Sequence, residues 1–358
     1  MEVAIIGGGP IGCYAAYLLA KTGHQATVYE KKEVGDPIQC TGILTSEFDE
    51  FNIPLDSFLI NTIQQHELNS PQQKIIIKQK DYIVCRRKFD NYFANIARKA
   101  GAKVLTNHCF LRKEGKSLII KNKDGEFSLT PNIVIAADGP LSPTAKAYGF
   151  YHKDRENFFG VQAVVEGNFT PAINQTYFGK DVCPGLFAWI TPESSIRARV
   201  GLAMKRNSKS YFDKFIEKNN FKIIEMQAGT IPLYHPRQKL QQDNCYLLGD
   251  ASGYVKATTL GGLVPALKQV QILINSLNNK TNYQQACKPL VKQLKMHLLI
   301  QKVMAKVSDQ DWDKIMSYTN QPKVRKIFEK YTRDDIIKLV SHTILKEPRY
   351  LLLAKYLL

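Results

Sequence analysis

The chain is poor in everything that would staple it, chelate with it or carry it through a bilayer. Its seven cysteines (13, 40, 85, 109, 183, 245, 287) are scattered and form no C-x-x-C pair, which argues against a disulfide framework and for a reducing compartment. The seven histidines show no metal-ligand spacing, so no metal is expected. No apolar run approaches the ~20 residues that span a bilayer. Met1-Glu2 leads straight into an apolar strand, so no signal peptide is expected and the expected location is cytoplasmic. Internal repeats and low-complexity tracts are missing too. Acid is scarce: 32 Asp and Glu face 49 Lys and Arg, a net charge of +17. The excess is concentrated, because the 83 residues from Ser276 onward carry 16 Lys and Arg against 7 Asp and Glu. Such a region suits an anionic membrane surface, an acidic protein partner, nucleic acid or a merely solvated basic face. No RNA- or DNA-binding motif accompanies the charge, so no nucleic acid is expected.

What is present begins at the N-terminus. A short apolar run, Val3 to Ile6, ends in Gly7, Gly9 and Gly12 with the spacing G-x-G-x-x-G. A helix-like segment follows, then a second apolar run closing on Glu30. This is the strand–helix–strand fingerprint that binds the ADP half of a dinucleotide. Gly7 permits the tight turn, Gly9 lets the backbone approach a pyrophosphate, and Gly12 lets helix and strand pack closely. The N–H groups of the helix N-terminus, opened by Pro10, receive the phosphates. Glu30 is placed to accept hydrogen bonds from ribose hydroxyls.

With 358 residues the chain can form two lobes. Ile63 to Val84 alternates in strand fashion, and Arg87 to Ala100 reads as an amphipathic helix with Phe89, Tyr92, Phe93, Ile96 and Ala97 on one face. Asn132 to Ala137 is an apolar strand. Phe158 to Leu233 is strand-like, with one helix from Ser210 to Asn219. Cys245 to Asp250 returns to an apolar strand, and a long helix is expected after Gly262. Beyond Gln284 the text reads as basic amphipathic helix, Gln284 to Val307 first. The expected fold is α/β: a Rossmann-type FAD-binding domain interrupted by a mainly antiparallel β-sheet substrate domain, with a helical C-terminal region. The boundaries expected are 1–62, 85–155 and 240–275 for the first, 63–84 and 156–239 for the second, and 276–358 for the third.

Three further signatures sit where a flavin needs them. Ile133 to Ser142 ends a strand with Asp138 and Gly139, and Leu247 to Gly253 does the same with Asp250, able to hold a ribityl or ribose hydroxyl. Thr258-Thr-Leu-Gly261-Gly262-Leu263 opens a helix whose N-terminus stabilises negative charge on a reduced ring. The stretch Asp250-Ala-Ser-Gly253-Tyr-Val-Lys256-Ala-Thr258-Thr259-Leu-Gly261-Gly262 resembles the G-D-A-x-G-x-V-K-x-T-T-x-G-G of the geranylgeranyl reductase family, within the FAD enzymes built like p-hydroxybenzoate hydroxylase. Gln39-Cys40-Thr41-Gly42-Ile43 is similar to that family's Cys-x-Gly element. Pro184 to Pro192, with Phe187 and Trp189, is similar to its Tyr-x-Trp-x-Phe-Pro motif, and Arg86-Arg-Lys-Phe89-Asp90 to its R-x-x-F-D. Phe187 and Thr191 stand where the family has Tyr and Phe, and Ala257 replaces a common Pro. The resemblance covers residues 1–275; the C-terminal region lies outside it.

The resemblance implies an FAD-dependent reductase that saturates C=C bonds of isoprenoid chains, with hydride from the reduced flavin. It implies cofactor contacts at Gly7, Gly9, Pro10, Gly12, Glu30, Lys31, Cys40, Thr41, Gly42, Arg86, Asp138, Gly139, Asp250, Gly261, Gly262 and Leu263. Phe187 and Trp189 would line a dry substrate tunnel. Cys40 would act near the reacting carbon as proton donor or gate, its alternative being a buried structural cysteine. With only one G-x-G-x-x-G, the reductant is NAD(P)H visiting transiently or an acidic ferredoxin at the basic surface. An aromatic monooxygenase or halogenase of the same fold class is the alternative activity. Peripheral binding to anionic lipid is the expectation for the basic region, with Tyr350 to Leu358 helping it dock.

Overall fold

The computed structural model describes residues 1–357, and three sheets organise them. The first is built on Glu2–Ile6, flanked in parallel by Gln25–Tyr29 and Ile133–Ala136; Lys103–Leu105 and Cys245–Leu247 extend it, again in parallel, and Gln241–Gln242 closes one edge. A strand buried on both faces must be apolar on both, and the N-terminal run divides accordingly. Val3 and Ile5 pack with the helices Pro10–Lys21 and Leu263–Asn278, while Ala4 and Ile6 face Phe110, Leu118 and Ile120. Those last three belong to a three-stranded antiparallel sheet, Cys109–Glu114, Ser117–Asn122 and Gly125–Leu129. The expected amphipathic helix runs from Arg86 to Lys99, with Phe89, Phe93, Ala94 and Ala97 fully buried. Burying each phenyl ring contributes about 1.5–3 kcal/mol, enough to anchor the helix.

The second sheet has eight strands in the order Lys222–Pro232, Asn157–Glu166, Arg197–Met204, Ala188–Pro192, Ile173–Tyr177, Leu59–Asn69, Lys74–Val84 and Ile43–Thr45. Every pairing is antiparallel except Ile173–Tyr177 against Leu59–Asn69. It takes in Ile43–Thr45 and Leu59–Thr62, which fall within the 1–62 segment expected for the nucleotide domain; Leu59 and Ile60 are exposed. The helix expected over Gln284–Val307 is two helices, Tyr283–Ala286 and Lys288–Met304, since Pro289 has no N–H to continue the ladder. Asp309–Thr319, Pro322–Lys330, Ile336–Lys346 and a final 3₁₀ segment, Pro348–Tyr356, complete the C-terminal region. These helices lie across the hairpin of the large sheet: Trp312, Met316 and Val307 bury Ile75 and Ile77.

Candidate functional site

The glycine turn shows why each residue is glycine. A Cβ on Gly12 would lie 2.0 Å from the Gly7 carbonyl oxygen, and one on Gly7, whose φ is +109°, would lie 2.3 Å from Ala137 O. A Cβ on Gly9 would meet nothing within 4 Å, so this is the face open to a ligand, beside the start of the helix at Pro10. Glu30 does more than wait for a ribose. Its Oε2 accepts the Gly8 N–H at 2.6 Å and its Oε1 accepts the Lys32 N–H at 3.0 Å, so the carboxylate also orders the turn. Lys31 is exposed beside it.

Past the carboxyl ends of these strands opens one cavity of about 950 Å³. Cys40, Thr41, Gly42, Arg86, Gly139, Asp250, Gly261, Gly262 and Leu263 all line it, as do Phe187 and Trp189. Asp138 does not. Its carboxylate accepts the Ser142 hydroxyl and, at 3.1 Å, the Thr144 N–H, and so caps the helix Pro143–Ala147. Burial raises its pKa against those hydrogen bonds.

Cys40 sits in a polar corner. Its Sγ accepts the Gly42 N–H at 3.3 Å, and the Arg86 guanidinium lies beside it. Arg86 is held by two hydrogen bonds to Asp90, 2.9 and 3.1 Å long. Although burial opposes the charge, Asp90 keeps Arg86 firmly protonated. The loop is pinned from the sheet: Arg199 Nη1 donates to both Cys40 O and Thr41 O at 2.9 Å while pairing with Glu193, and Thr41 Oγ1 donates to Gln162 Oε1 at 2.8 Å. Arg199 and Gln162 lie within the strand-like stretch Phe158 to Leu233, for which the sequence carries no site expectation outside Pro184 to Pro192. A buried arginine at an inward strand position was the available signal.

Opposite this corner the wall is aromatic. Trp189 and Phe187 are 6.1 Å apart between ring centroids, Phe187 and Phe178 5.9 Å, and Phe178 stacks on Trp312 at 4.3 Å. Gly201 leaves room for the indole, for a Cβ there would strike the Trp189 ring at 2.6 Å. Trp312 comes from the C-terminal region, as do Val303, Ile336 and Leu339, so that region roofs the cavity with hydrocarbon. The segment Tyr350 to Leu357 contributes Tyr350, Leu351 and Leu353 to the lining; Leu358 lies outside the described residues.

The residues present fit a flavin dinucleotide. The glycine turn, which a Cβ at Gly7 or Gly12 would block and which is open at Gly9, suits a pyrophosphate. The Asp250 carboxyl, enclosed and raised in pKa by burial against the pull of Arg86 and Arg155, faces the cavity, where a hydroxyl donor would satisfy it. The Thr259 Oγ1 and Trp189 Nε1 atoms are buried at the cavity wall without a protein partner. A Rossmann sheet feeding such a cleft, interrupted by a second sheet, defines the two-lobed fold of flavin-dependent oxidoreductases.

Comparison with known proteins narrows this. Residues 5–35 match the model of an NAD(P)-binding Rossmann-like domain. The digeranylgeranylglycerophospholipid reductase of Methanocaldococcus jannaschii is 30% identical over 393 residues, covering 100% of this chain and 98% of that one. A second such reductase, from Methanothermobacter thermautotrophicus, is 32% identical over 73% of this chain and 74% of its own. Among solved structures, a geranylgeranyl bacteriochlorophyll reductase-like protein from Thermoplasma acidophilum superposes with a TM-score of 0.83 at 22% identity, over 99% of this chain and 98% of that one. The flavin-dependent halogenase CmlS reaches 0.71 at 15% identity, over 97% of this chain and 78% of its own, and shares the fold alone. The chain belongs to the digeranylgeranylglycerophospholipid reductase family.

Proposed function

We propose that this protein saturates C=C bonds in the geranylgeranyl chains of a glycerophospholipid, with FAD as its cofactor. The observation that carries the reading is the apolar cavity of about 950 Å³, which starts at Cys40 and the Gly261-Gly262 loop and runs under the C-terminal helices. FAD, rather than a mononucleotide, is favoured by the Gly7–Gly12 turn with Glu30, a site for the ADP half. Bound and reduced, the flavin supplies the hydride. The chain's own residues do the rest. An isolated alkene carries no group to polarise, so positioning must do much of the work, and the aromatic wall from Trp189 to Trp312 holds an extended chain and keeps water out. Cys40 Sγ–H delivers a proton to the alkene carbon that receives no hydride. The thiolate left behind is met by the Arg86 guanidinium and the Gly42 N–H, and it recovers its proton from water between turnovers.

Electrons reach the flavin from visiting NAD(P)H or from an acidic ferredoxin, since the one dinucleotide turn serves the FAD. No helix among the described residues is long and apolar enough to cross a membrane. The lipid is instead met at a surface where Leu345 and Leu352, exposed at 76% and 65%, stand beside Lys346 and Lys355. The test is mass spectrometry of a geranylgeranyl glycerophospholipid incubated with the FAD-loaded, chemically reduced protein. Mass gains in steps of two hydrogens support the reading. Unchanged lipid, together with oxygen uptake triggered by an aromatic substrate, would replace it with oxygenase chemistry.

A further inference from the structure

The turn Thr332–Asp335, between the last two long helices, carries two adjacent opposite charges into the interior, and each finds a buried partner on a different part of the molecule. Arg333 Nη2 donates to Asp81 Oδ2 at 2.5 Å, on the floor of the lipid cavity. Asp334 Oδ1 accepts from Lys256 Nζ at 2.5 Å, and its Oδ2 accepts the Thr45 hydroxyl at 2.7 Å. The Lys256 and Asp334 side chains are each only 4% exposed. Lys256 is the knot of the glycine-rich loop: its N–H donates to Gly261 O at 3.2 Å, and its C=O accepts the N–H groups of Thr259 and Leu260 at 3.2 and 2.8 Å. Its ammonium runs directly beneath Gly261, whose Cβ, if present, would be 3.5 Å from Nζ. A second tie reaches the same loop from the C-terminal region, where Thr258 Oγ1 and His297 Nδ1 are 2.6 Å apart. Burial and the nearby Lys256 push that imidazole down to about 3, so it is neutral.

Two buried charges are a costly way to join surfaces that hydrocarbon would join as well, which makes a role beyond adhesion the economical explanation. The helices that supply both ties also present Ile300, Ile336 and Leu339 to the cavity, so the lipid roof and the cofactor loop are one mechanical unit. We propose that Asp334, acting through Lys256, is a positioning residue for the flavin: it sets the Thr258–Leu263 loop against the pyrimidine end of the ring and fixes a positive charge behind it. The loop is then competent only while the lipid-binding roof is seated. The inference rests on the flavin reading of the site.

The test titrates the full-length protein with FAD, following fluorescence quenching, the visible flavin bands and the midpoint potential, alongside thermal melting of the flavin-free protein. Asp334→Asn is expected to weaken FAD at least tenfold and to shift both the visible bands and the midpoint potential. Asp334→Glu should restore affinity to within threefold. The double variant Lys256→Met/Asp334→Leu removes both charges without stranding either, so it decides the matter if Asp334→Asn does not fold. It too should lose at least tenfold in FAD affinity while melting as a cooperative unit. Wild-type affinity and spectrum in either folded variant overturns the inference and leaves the flavin reading standing. Failure of the wild type itself to take up FAD removes both.

Discussion

The glycine turn at the N-terminus, outside the cavity lining, and the helical roof at the C-terminus, which is part of that lining, encode their roles in opposite ways. In the turn, function is written in backbone: Gly7 and Gly12, each demanded by a nearby backbone oxygen, Gly9 left open to a ligand, and a carboxylate 22 positions beyond Gly8 that accepts the Gly8 N–H. In the roof it is written in side-chain pairs that meet only after folding. Asp334 and Lys256 are 78 residues apart, and Arg333 and Asp81 252. A backbone constraint admits one residue type and leaves a pattern. A side-chain pair admits several solutions at either end, so neither end announces itself. The contrast implies different failures. Damage to the turn should abolish cofactor binding while the roof persists, and damage to the roof pairs should loosen the C-terminal helices from an otherwise folded core.

The severest break is Gly12→Val. The added Cβ would stand 2.0 Å from Gly7 O, a backbone atom that cannot move without displacing the parallel strand. Overpacking of this kind costs about 1–3 kcal/mol or more, and the displaced turn loses the ligand face at Gly9. Purified variant protein is expected to carry no flavin and to take up less than a hundredth as much on titration. Flavin content and melting temperature check this.

Next comes Arg333→Met, which leaves the Asp81 carboxylate, 2% exposed, without its guanidinium. Removing one partner of a buried pair costs about 3–5 kcal/mol, and calorimetry should show that loss in the transition containing the C-terminal helices. The same pairs set a pH dependence. Arg333, against the effect of burial, holds Asp81 below the usual carboxylate range, and Lys256 does the same for Asp334. Groups with depressed folded pKa values contribute stability that is present above their unfolded value near 4 and lost as pH falls through the folded value. Asp138 and Asp250 are raised by burial and act in the opposite sense. Acidification below pH 4 should therefore release the roof first, seen as early proteolysis between Thr332 and Ile336 while the Rossmann core still resists.

Much of this was legible before folding was known. The parallel core, the mainly antiparallel second sheet, the helix carrying Phe89 and Phe93, and the cavity position of Asp250 and Gly261 follow from local periodicity or from motifs with a physical mechanism, while that of Cys40 follows only from the family resemblance. What escaped was long-range complementarity. A carboxylate at the end of an apolar strand can face a ligand or support the following helix; the Asp138 carboxylate accepts from Ser142 and Thr144 at the start of that helix and stands outside the cavity lining. Trp312 stood in a basic amphipathic stretch and gave no sign that it would stack on Phe178. The C-terminal leucines read as a docking face, yet Leu353 and Leu357 turn toward the cavity.

Cys40→Ser sharpens the comparison at the chemical centre, where backbone and side-chain encodings meet. The hydroxyl keeps the size of the thiol and can still accept the Gly42 N–H, so flavin binding should be unchanged. A serine hydroxyl is a far weaker acid than a thiol, and loss of a positioned proton donor costs about 10²–10⁴-fold in rate. Single-turnover oxidation of the reduced protein by lipid should slow by that factor with little change in lipid affinity. An unaltered rate would make Cys40 a packing residue and move the proton source elsewhere in the cavity.

The smallest expected effect concerns the outer face of the roof. Leu345 and Leu352 are exposed and absent from the cavity lining, as is Lys346, which follows the first of them in sequence. Basic residues near an anionic surface contribute about 1 kcal/mol each, an effect that salt screens. Lys346→Glu reverses one charge and should weaken binding to vesicles rich in anionic phospholipid by about ten- to thirtyfold at low salt, given 1.4 kcal/mol per tenfold. It should change nothing with zwitterionic vesicles or at 0.5 M salt. Because this residue makes none of the buried pairs, its FAD affinity and melting temperature should match the wild type. Equal sedimentation of variant and wild type with anionic vesicles would separate the two surfaces of the roof: the inner one for a lipid chain, the outer one for water alone.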